Sequence, residues 1–261
     1  MTSPGRPAEP GARDAGRESA IRLEGVTKAF GGRKVLDDVT IDVPAGTAFC
    51  LLGRSGTGKS VTLKHIIGLL QPDSGRVLVH GKDVSRLKGQ DLAGVWRSMG
   101  FLFQNSALFD SISVGENVAF PLRRHTDWGD AKIRDVAKTK LADVGLERDF
   151  DKMPADLSGG MKKRAGLARA MALDPDILLV DEPSAGLDPI TSDEIDALLV
   201  TLKKQGATLV MVTHNIPSAR HVGDELGFLH DGRVIARGTA AELDRSENDL
   251  VRTFMRSESA R

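Results

Sequence analysis

Gly53-Arg54-Ser55-Gly56-Thr57-Gly58-Lys59-Ser60 satisfies the pattern G-x-x-x-x-G-K-[ST] at every fixed position. The apolar run Ala48 to Leu52 before it reads as a buried strand, and Val61 to Leu70 after it reads as a helix. In a loop between such elements, glycines leave backbone N–H groups free to converge on phosphate oxygens, and the helix start adds the positive end of its dipole. Lys59 is placed to reach the β- and γ-phosphates as a point charge, and the Ser60 hydroxyl to ligate Mg²⁺. The plain alternative is a chance glycine-rich turn, and the strand before and helix after are the context that argues against it.

With 261 residues, 40% of them hydrophobic, the chain can bury a core and form one large α/β domain with an inserted subdomain. Lys plus Arg and Asp plus Glu both total 36, so net charge gives no polyanion-binding footprint, and nucleic acid is not an expected partner. The single cysteine, Cys50, lies in the strand before the phosphate loop, where it reads as a small buried hydrophobe, and no disulfide can form within one chain. No apolar run approaches the roughly 18 to 20 residues needed to cross a bilayer, and the start lacks a signal-peptide core, so the expectation is a soluble cytoplasmic chain.

Met1 to Ala20 is rich in Pro, Gly, Ala, Arg and Glu without apolar periodicity and reads as a disordered leader, with structure beginning at Ile21. Alternation in Ile21 to Glu24 and Val39 to Val43 predicts two half-buried strands joined through Phe30-Gly31-Gly32. Further strands are expected at Val77 to Val79 and at Met99 to Phe103, the latter running into Gln104. Residues about 105–157 read as a mainly helical insertion, with helical periodicity in Asp130 to Val144. Leu157-Ser158-Gly159-Gly160 then precedes a helix from about Met161 to Leu173 carrying Lys162, Lys163, Arg164 and Arg169, whose N-terminus would face an anion.

Ile177 to Val180 is a continuous apolar strand ending in Asp181-Glu182-Pro183, and burying two acids there is costly without a cation. Downstream of a phosphate loop, that pair fits Mg²⁺ ligation by Asp181 and water activation by Glu182. Asp188-Pro189 opens an amphipathic helix with Ile195, Leu198, Leu199 and Leu202 on one face. Leu209 to Val212 is the next buried strand, with His214 just beyond it and within reach of a γ-phosphate if the strands are parallel. The remaining histidines show no metal-ligand spacing. A hairpin over Phe228 to Ala236 leads into a helical tail from Ala240.

In this order the motifs resemble the nucleotide-binding subunit of the ATP-binding cassette family over roughly Ile21 to Leu243. Gly53 to Ser60 matches that family's Walker A, Gln104 its Q-loop, Leu157 to Met161 its signature, Ile177 to Glu182 its Walker B, Ala185 to Asp188 its D-loop and His214 its H-loop. The resemblance implies a P-loop NTPase (RecA-like) α/β core with an antiparallel β subdomain and an inserted helical subdomain, as one ATPase domain over 21–245 followed by a tail over 246–261. It implies ATP and Mg²⁺ as cofactors, with Lys59, Gln104, Glu182 and His214 in catalysis and Ser60, Gln104 and Asp181 on the metal. Phe30 takes the place of the adenine-stacking aromatic, and the nucleotide also meets the Walker A residues, Val61 and Asp188. Because the signature of one subunit closes on nucleotide held by the other, Ser158, Gly159 and Gly160 imply a homodimer sandwiching two ATP molecules. Met161 departs from the commoner Gln of the signature.

A narrower resemblance, to the Mla/Mce-type lipid-trafficking cassettes, lies in Gln104 to Phe109 with Glu116 to Arg123, in Leu157 to Met161 and in Gly186 to Thr191. It implies an integral-membrane permease partner, a periplasmic lipid-carrying MCE-type component, a possible small accessory subunit, and a peripheral place on the cytoplasmic face of the inner membrane. Leu108, Phe109 and Phe120 are expected to line the groove that docks the permease, or else to be core of the insertion. A cassette serving small polar solutes would carry the same catalytic motifs. A DNA-repair or translation ATPase would usually add coiled coils, tandem cassettes or basic surfaces.

Overall fold

In the computed structural model, which describes residues 18–257, the chain opens with β1 (Ser19–Phe30) and β2 (Arg33–Pro44), paired antiparallel about the turn at Gly31 and Gly32. Buried Val39, Ile41 and Val43 alternate with outward Thr40 and Asp42, the period-two pattern of a sheet with one covered face. Then come β3 (Ala48–Leu52), α1 (Lys59–Ile66), β4 (Ser74–Val79), the short β5 (Lys82–Asp83), α2 (Gly89–Trp96) and β6 (Met99–Leu102). The helical stretch holds α3 (Val114–His125), α4 (Asp130–Ala142) and two 3-10 turns, and α5 (Gly159–Ala170) leads back to the sheet. The chain finishes with β7 (Ile177–Asp181), α6 (Pro189–Lys204), β8 (Thr208–Thr213), α7 (Ile216–Val222), β9 (Glu225–His230), β10 (Arg233–Gly238), α8 (Ala240–Asp244) and α9 (Asp249–Arg256).

Two sheets result. One is antiparallel in the order β2-β1-β4-β5; the other has the order β10-β9-β3-β8-β7-β6, parallel except for the β9–β10 hairpin. Every residue of β3, β7 and β8 is buried, because both faces of their sheet are covered. Alternate positions along each strand enter different cores: Phe49, Leu51, Ile177, Leu179, Val210 and Val212 pack toward the antiparallel sheet. Cys50, Leu52, Leu178, Val180, Leu209 and Met211 pack toward the helices. Burial raises the Cys50 thiol pKa well beyond its ordinary range, in keeping with a packing role.

The structure extends or redraws several expected boundaries. β1 begins at Ser19, so Ser19 and Ala20 belong to the sheet, while the rest of the expected leader, residues 1–17, lies outside the described residues. α1 stops at Ile66, where Gly68, with φ +73°, turns the chain and Leu69 and Leu70 return their N–H groups to the Lys64 carbonyl. α5 starts two residues before the expected Met161, since Ser158 is its N-cap. α3, which carries Pro121 inside it, was not legible from periodicity.

The expected tail is two helices rather than one, and α9 is part of the core: Val251 and Met255 are fully buried and Phe254 sets its ring edge-on to Phe228 at 4.7 Å. Arg220 binds the Asp244 carboxylate with both Nη groups and fixes α8 to α7. Residues 258–261 lie outside the described residues. Met255→Ala is expected to cost about 2–5 kcal/mol, which for a domain of this size is a melting temperature lower by roughly 5–15 °C. A thermal melt within 1 °C of the wild type would show α9 to be dispensable.

Candidate functional site

β3, β8 and β7 run side by side and parallel, with Leu52 opposite Thr213 and Asp181 opposite Val212. The loops that follow them therefore emerge at one edge. After β3 the chain takes the Gly53–Gly58 turn into α1. Gly58, the N-cap, has φ +107°, and a Cβ there would lie 2.8 Å from the Val35 carbonyl oxygen. A Cβ on Gly53 would lie 2.6 Å from the Leu229 carbonyl oxygen, so only glycine lets the loop sit this close to its neighbours.

Lys59, only 5% exposed, donates from Nζ to the carbonyls of Gly53 (2.8 Å) and Arg54 (3.1 Å) and lies 3.3 Å from Glu182 Oε1. Ser60 Oγ donates to Asp181 Oδ1 at 2.9 Å. Glu182 Oε2 accepts from Thr213 Oγ1 (3.1 Å), from the His214 backbone N–H (3.3 Å) and from His214 Nδ1 (2.9 Å). With Glu182 ionised, Nδ1 must carry the ring proton. Glu182 holds φ at +47°, a conformation unfavourable for a residue with a side chain and concentrated where function demands it. Burial raises the pKa of Asp181, reinforced by the Glu182 charge and opposed by the Ser60 hydrogen bond and Lys59.

The structure thus brings Lys59, Ser60, Asp181, Glu182 and His214 into one cluster. Arg54, Ser55 and Gly56 stay on the loop's outer surface, Thr57 Oγ1 closes the turn onto the Arg54 carbonyl at 2.9 Å, and Val61 packs against the core on the antiparallel side. Gln104 leaves β6 at the same edge with its residue exposed, and its backbone carbonyl accepts from Lys163 Nζ. Phe30 sits half-exposed at the tip of the β1–β2 hairpin, with Lys28 Nζ 5.6 Å from its ring centroid. That hairpin also supplies Val35, which abuts Gly58.

Ser158, Gly159, Gly160 and Asp188 are gathered elsewhere. Ser158 Oγ accepts from the Met161 N–H at 3.2 Å, and Asp188 caps α6 through the Thr191 N–H (3.0 Å) and Oγ1 (2.6 Å). A Cβ on Gly160 would lie 2.3 Å from Thr191 Cγ2, and one on Gly159 would lie 3.4 Å from Leu187. The two glycines therefore face α6 and the turn before it, while Ser158 and Gly159 remain exposed.

Two groups join the site that motif reading did not single out. Thr213, fully buried, donates to Glu182. Lys163, which the sequence groups with Lys162, Arg164 and Arg169 on its helix, turns inward and donates to the Glu182 carbonyl at 3.0 Å. Burial lowers its pKa to about 8, against the raising effect of Asp181 and Glu182. The available signal was its place among Gly160, Ala165, Gly166 and Leu167, the buried side of α5.

A buried carboxylate with a raised pKa beside a hydroxyl is a donor pair suited to a hard divalent cation. Among the described residues no group of three or more His, Cys, Asp or Glu side chains could hold a metal ion by itself. Mg²⁺ at Ser60 and Asp181 would then draw further ligands from phosphate and water, which is its usual habit.

Glycine-rich loop, inward lysine and carboxylates at the carboxyl edge of a parallel sheet define a P-loop nucleotide-binding domain. Within that class, residues 36–185 match the family model described as ABC transporter, and the chain belongs to that family. It is an ATP-binding, ATP-hydrolysing cassette. It is 45% identical over 237 residues to a "Probable ribonucleotide transport ATP-binding protein" of Mycobacterium leprae, covering 90% of this chain and 68% of that protein. It is 39% identical over 243 residues to the intermembrane phospholipid transport system ATP-binding protein MlaF of Haemophilus influenzae, covering 93% of this chain and 92% of that one. In three dimensions it resembles a dimeric ATP-binding cassette in a post-hydrolysis state bound to ADP and Pi, with TM-score 0.78 and 33% identity over 84% of this chain and 98% of that one.

Because burial raises the Asp181 pKa above its unfolded value, its ionised form costs stability at every pH above the folded pKa, and the cost fades as the group protonates on acidification. Asp181→Asn should therefore melt higher than wild type at pH 7 in EDTA without nucleotide, with the gain shrinking as pH falls through the raised folded pKa and gone once pH is below the ordinary carboxylate value of about 4. A lower melting temperature for the variant at pH 7 would show that the charge is already compensated by its neighbours.

Proposed function

We propose that this cassette powers a separate integral-membrane permease in moving phospholipid or another lipid between membranes. The reading of the substrate rests on the match to the intermembrane phospholipid transport protein across nearly the full length of both chains. In this reading Lys59 and the N–H groups of Gly53 to Ser60 hold the phosphates, Phe30 stacks on adenine, and Ser60, Asp181 and Gln104 hold Mg²⁺, which would neutralise charge on the transferred phosphoryl group. Glu182 accepts a proton from the attacking water, with His214 and Thr213 fixing its carboxylate.

Ser158, Gly159, Gly160 and Asp188 act on the nucleotide of a second copy. Support comes from the exposure of Ser158 and Gly159 and from the dimeric state of the structural neighbour. No helix among the described residues is long and apolar enough to cross a membrane, and in this reading the permease carries the translocation path. We place the cassette peripherally on the cytoplasmic face of that membrane, with an MCE-type component and an accessory subunit as further partners. The domain is taken as 21–245 with its helical insertion over about 105–157, and the β1 and α9 packing described above adds residues at both ends.

The permease is assigned to a groove of about 460 Å³ lined by Trp96, Phe101, Phe103, Phe109, Phe120 and Arg169, among others. Phe109 and Phe120 are 45% and 48% exposed with ring centroids 4.9 Å apart, a solvent-facing aromatic pair of the kind that marks an interface. Leu108 is partly buried against the helical core rather than lining the groove. Asn117, fully buried, holds Phe109 in place by accepting from its N–H (2.7 Å) and donating to its carbonyl (3.0 Å).

A second reading, transport of a polar solute, is favoured by the name of the mycobacterial relative. Mass spectrometry of material extracted from the purified complex separates the two. Bound phospholipid supports the first, whereas a lipid-free complex whose ATPase responds to a ribonucleotide supports the second.

Lys59→Ala is expected to weaken ATP binding tenfold or more, about 1.4 kcal/mol. Glu182→Gln should bind ATP within a few-fold of wild type while turnover falls by about 10² or more; paired binding and phosphate-release assays check both, and normal turnover by Glu182→Gln would remove that carboxylate from the mechanism. Phe109→Asp should lose at least 2 kcal/mol of permease affinity in a co-expression pull-down with ATP binding and circular dichroism unchanged.

A further inference from the structure

Lys163 is a buried cation that the chemistry above does not use. It lies on the second turn of α5, 4% exposed, and its Nζ donates to two backbone carbonyls, that of Gln104 beyond β6 and that of Glu182 beyond β7. A methionine would fill the same space without the desolvation of an ammonium group, so simple packing does not call for a lysine here. Both carbonyls belong to segments with unfavourable backbone geometry: Glu182 has φ +47°, and Ser106 and Ala107, just after Gln104, have φ +58° and +47°. Such conformations persist where surrounding contacts over-determine them, and α5 supplies those contacts. A Cβ on Gly166 would lie 3.0 Å from Leu102 and 3.2 Å from Ser106 Cβ, so the helix backbone runs close against the loop along this side.

We propose that Lys163 is a positioning residue for ATP hydrolysis, its ammonium fixing the Glu182 and Gln104 carbonyls relative to each other and to the helix that Ser158 caps. The carboxylate of Glu182 and the Gln104 segment then take their places from one element, α5, whose exposed N-terminus carries Ser158 and Gly159. A shift of α5 would move both together, because the same nitrogen bonds both. The inference rests on the assignment of Glu182 to the attacking water.

The test compares Lys163→Met, Lys163→Arg and Glu182→Gln in the full-length chain, measuring kcat, KM, ATP affinity, circular dichroism and thermal melting. Lys163→Met is expected to lower kcat at least tenfold, with KM and ATP affinity within threefold of wild type and an unchanged dichroism spectrum. Lys163→Arg, which restores a cationic donor to both carbonyls, is expected to recover kcat to within threefold of wild type. A Lys163→Met kcat within twofold of wild type overturns the proposal, as does a loss of kcat that only tracks the folded fraction. If Lys163→Met does not fold, Lys163→Gln, which keeps neutral N–H donors, is judged by the same kcat and KM criteria. Full turnover by Glu182→Gln would overturn the role of Glu182 itself. An inactive Glu182→Gln beside a fully active Lys163→Met would overturn only the positioning role.

Discussion

Two neighbouring carboxylates, Asp181 and Glu182, are buried at the end of a strand whose every residue is buried, and the surroundings are arranged around what they need. An uncompensated buried charge costs several kcal/mol. Glu182 is compensated within the chain, by Lys59 on one oxygen and by Thr213 and His214 on the other. Asp181 has the Ser60 hydroxyl at 2.9 Å, which is a weaker partner than an ion, and its raised pKa records the shortfall. The two carboxylates are therefore compensated unequally. Glu182 is held in place on both of its oxygens, while Asp181 keeps unsatisfied acceptor capacity, which suits the metal-binding role proposed for it.

That arrangement depends on strand register. The parallel pairing that sets Leu52 opposite Thr213 and Asp181 opposite Val212 brings the three loops to one level, and a slip of one residue would turn each inward side chain to the other face. Register in turn is specified by two separate cores, since alternate residues of β3, β7 and β8 enter different hydrophobic clusters. A slipped strand would exchange Phe49 with Cys50 and Leu51 with Leu52 between cores of different shape. The costly site geometry is thus held by apolar packing that has no part in the chemistry.

What sequence showed and what it hid follow from the range of the interactions involved. The phosphate loop, the Asp181–Glu182 pair and the Asp188 cap with Pro189 are local signals, readable because a few adjacent residues determine the turn or the cap. The motif order also brought out the family. α3 stayed hidden because Pro121 interrupts its pattern, and its anchor is a tertiary one, with Asn117 bonding to Phe109, Ile112 and Ser113. α9 read as a tail because its two inward residues, Val251 and Met255, are too few to signal packing on elements distant in sequence. Lys163 stands between Lys162 and Arg164 in the sequence, and only the close approach of α5 to two separate loops distinguishes it.

The stretch between the site and the aromatic groove is tied down at each step. The Gln104 carbonyl is bound by Lys163, the Ser106 and Ala107 carbonyls by Arg169 at 2.7 Å each, and both backbone groups of Phe109 by Asn117. Two of these anchors lie on α5 and one on α3. Local flexing at Phe109 would break bonds to Lys163, Arg169 and Asn117, and because Lys163 and Asn117 are buried, each of these two would be left with unpaired donors in a dry setting. A displacement there must instead be passed to α5 and α3 as bodies, and α5 reaches the Glu182 carbonyl through Lys163. Under the proposed assignments of the groove and of Glu182, coupling between a seated partner and that carboxylate needs no long relay of side chains. It follows from one short loop fastened to one helix.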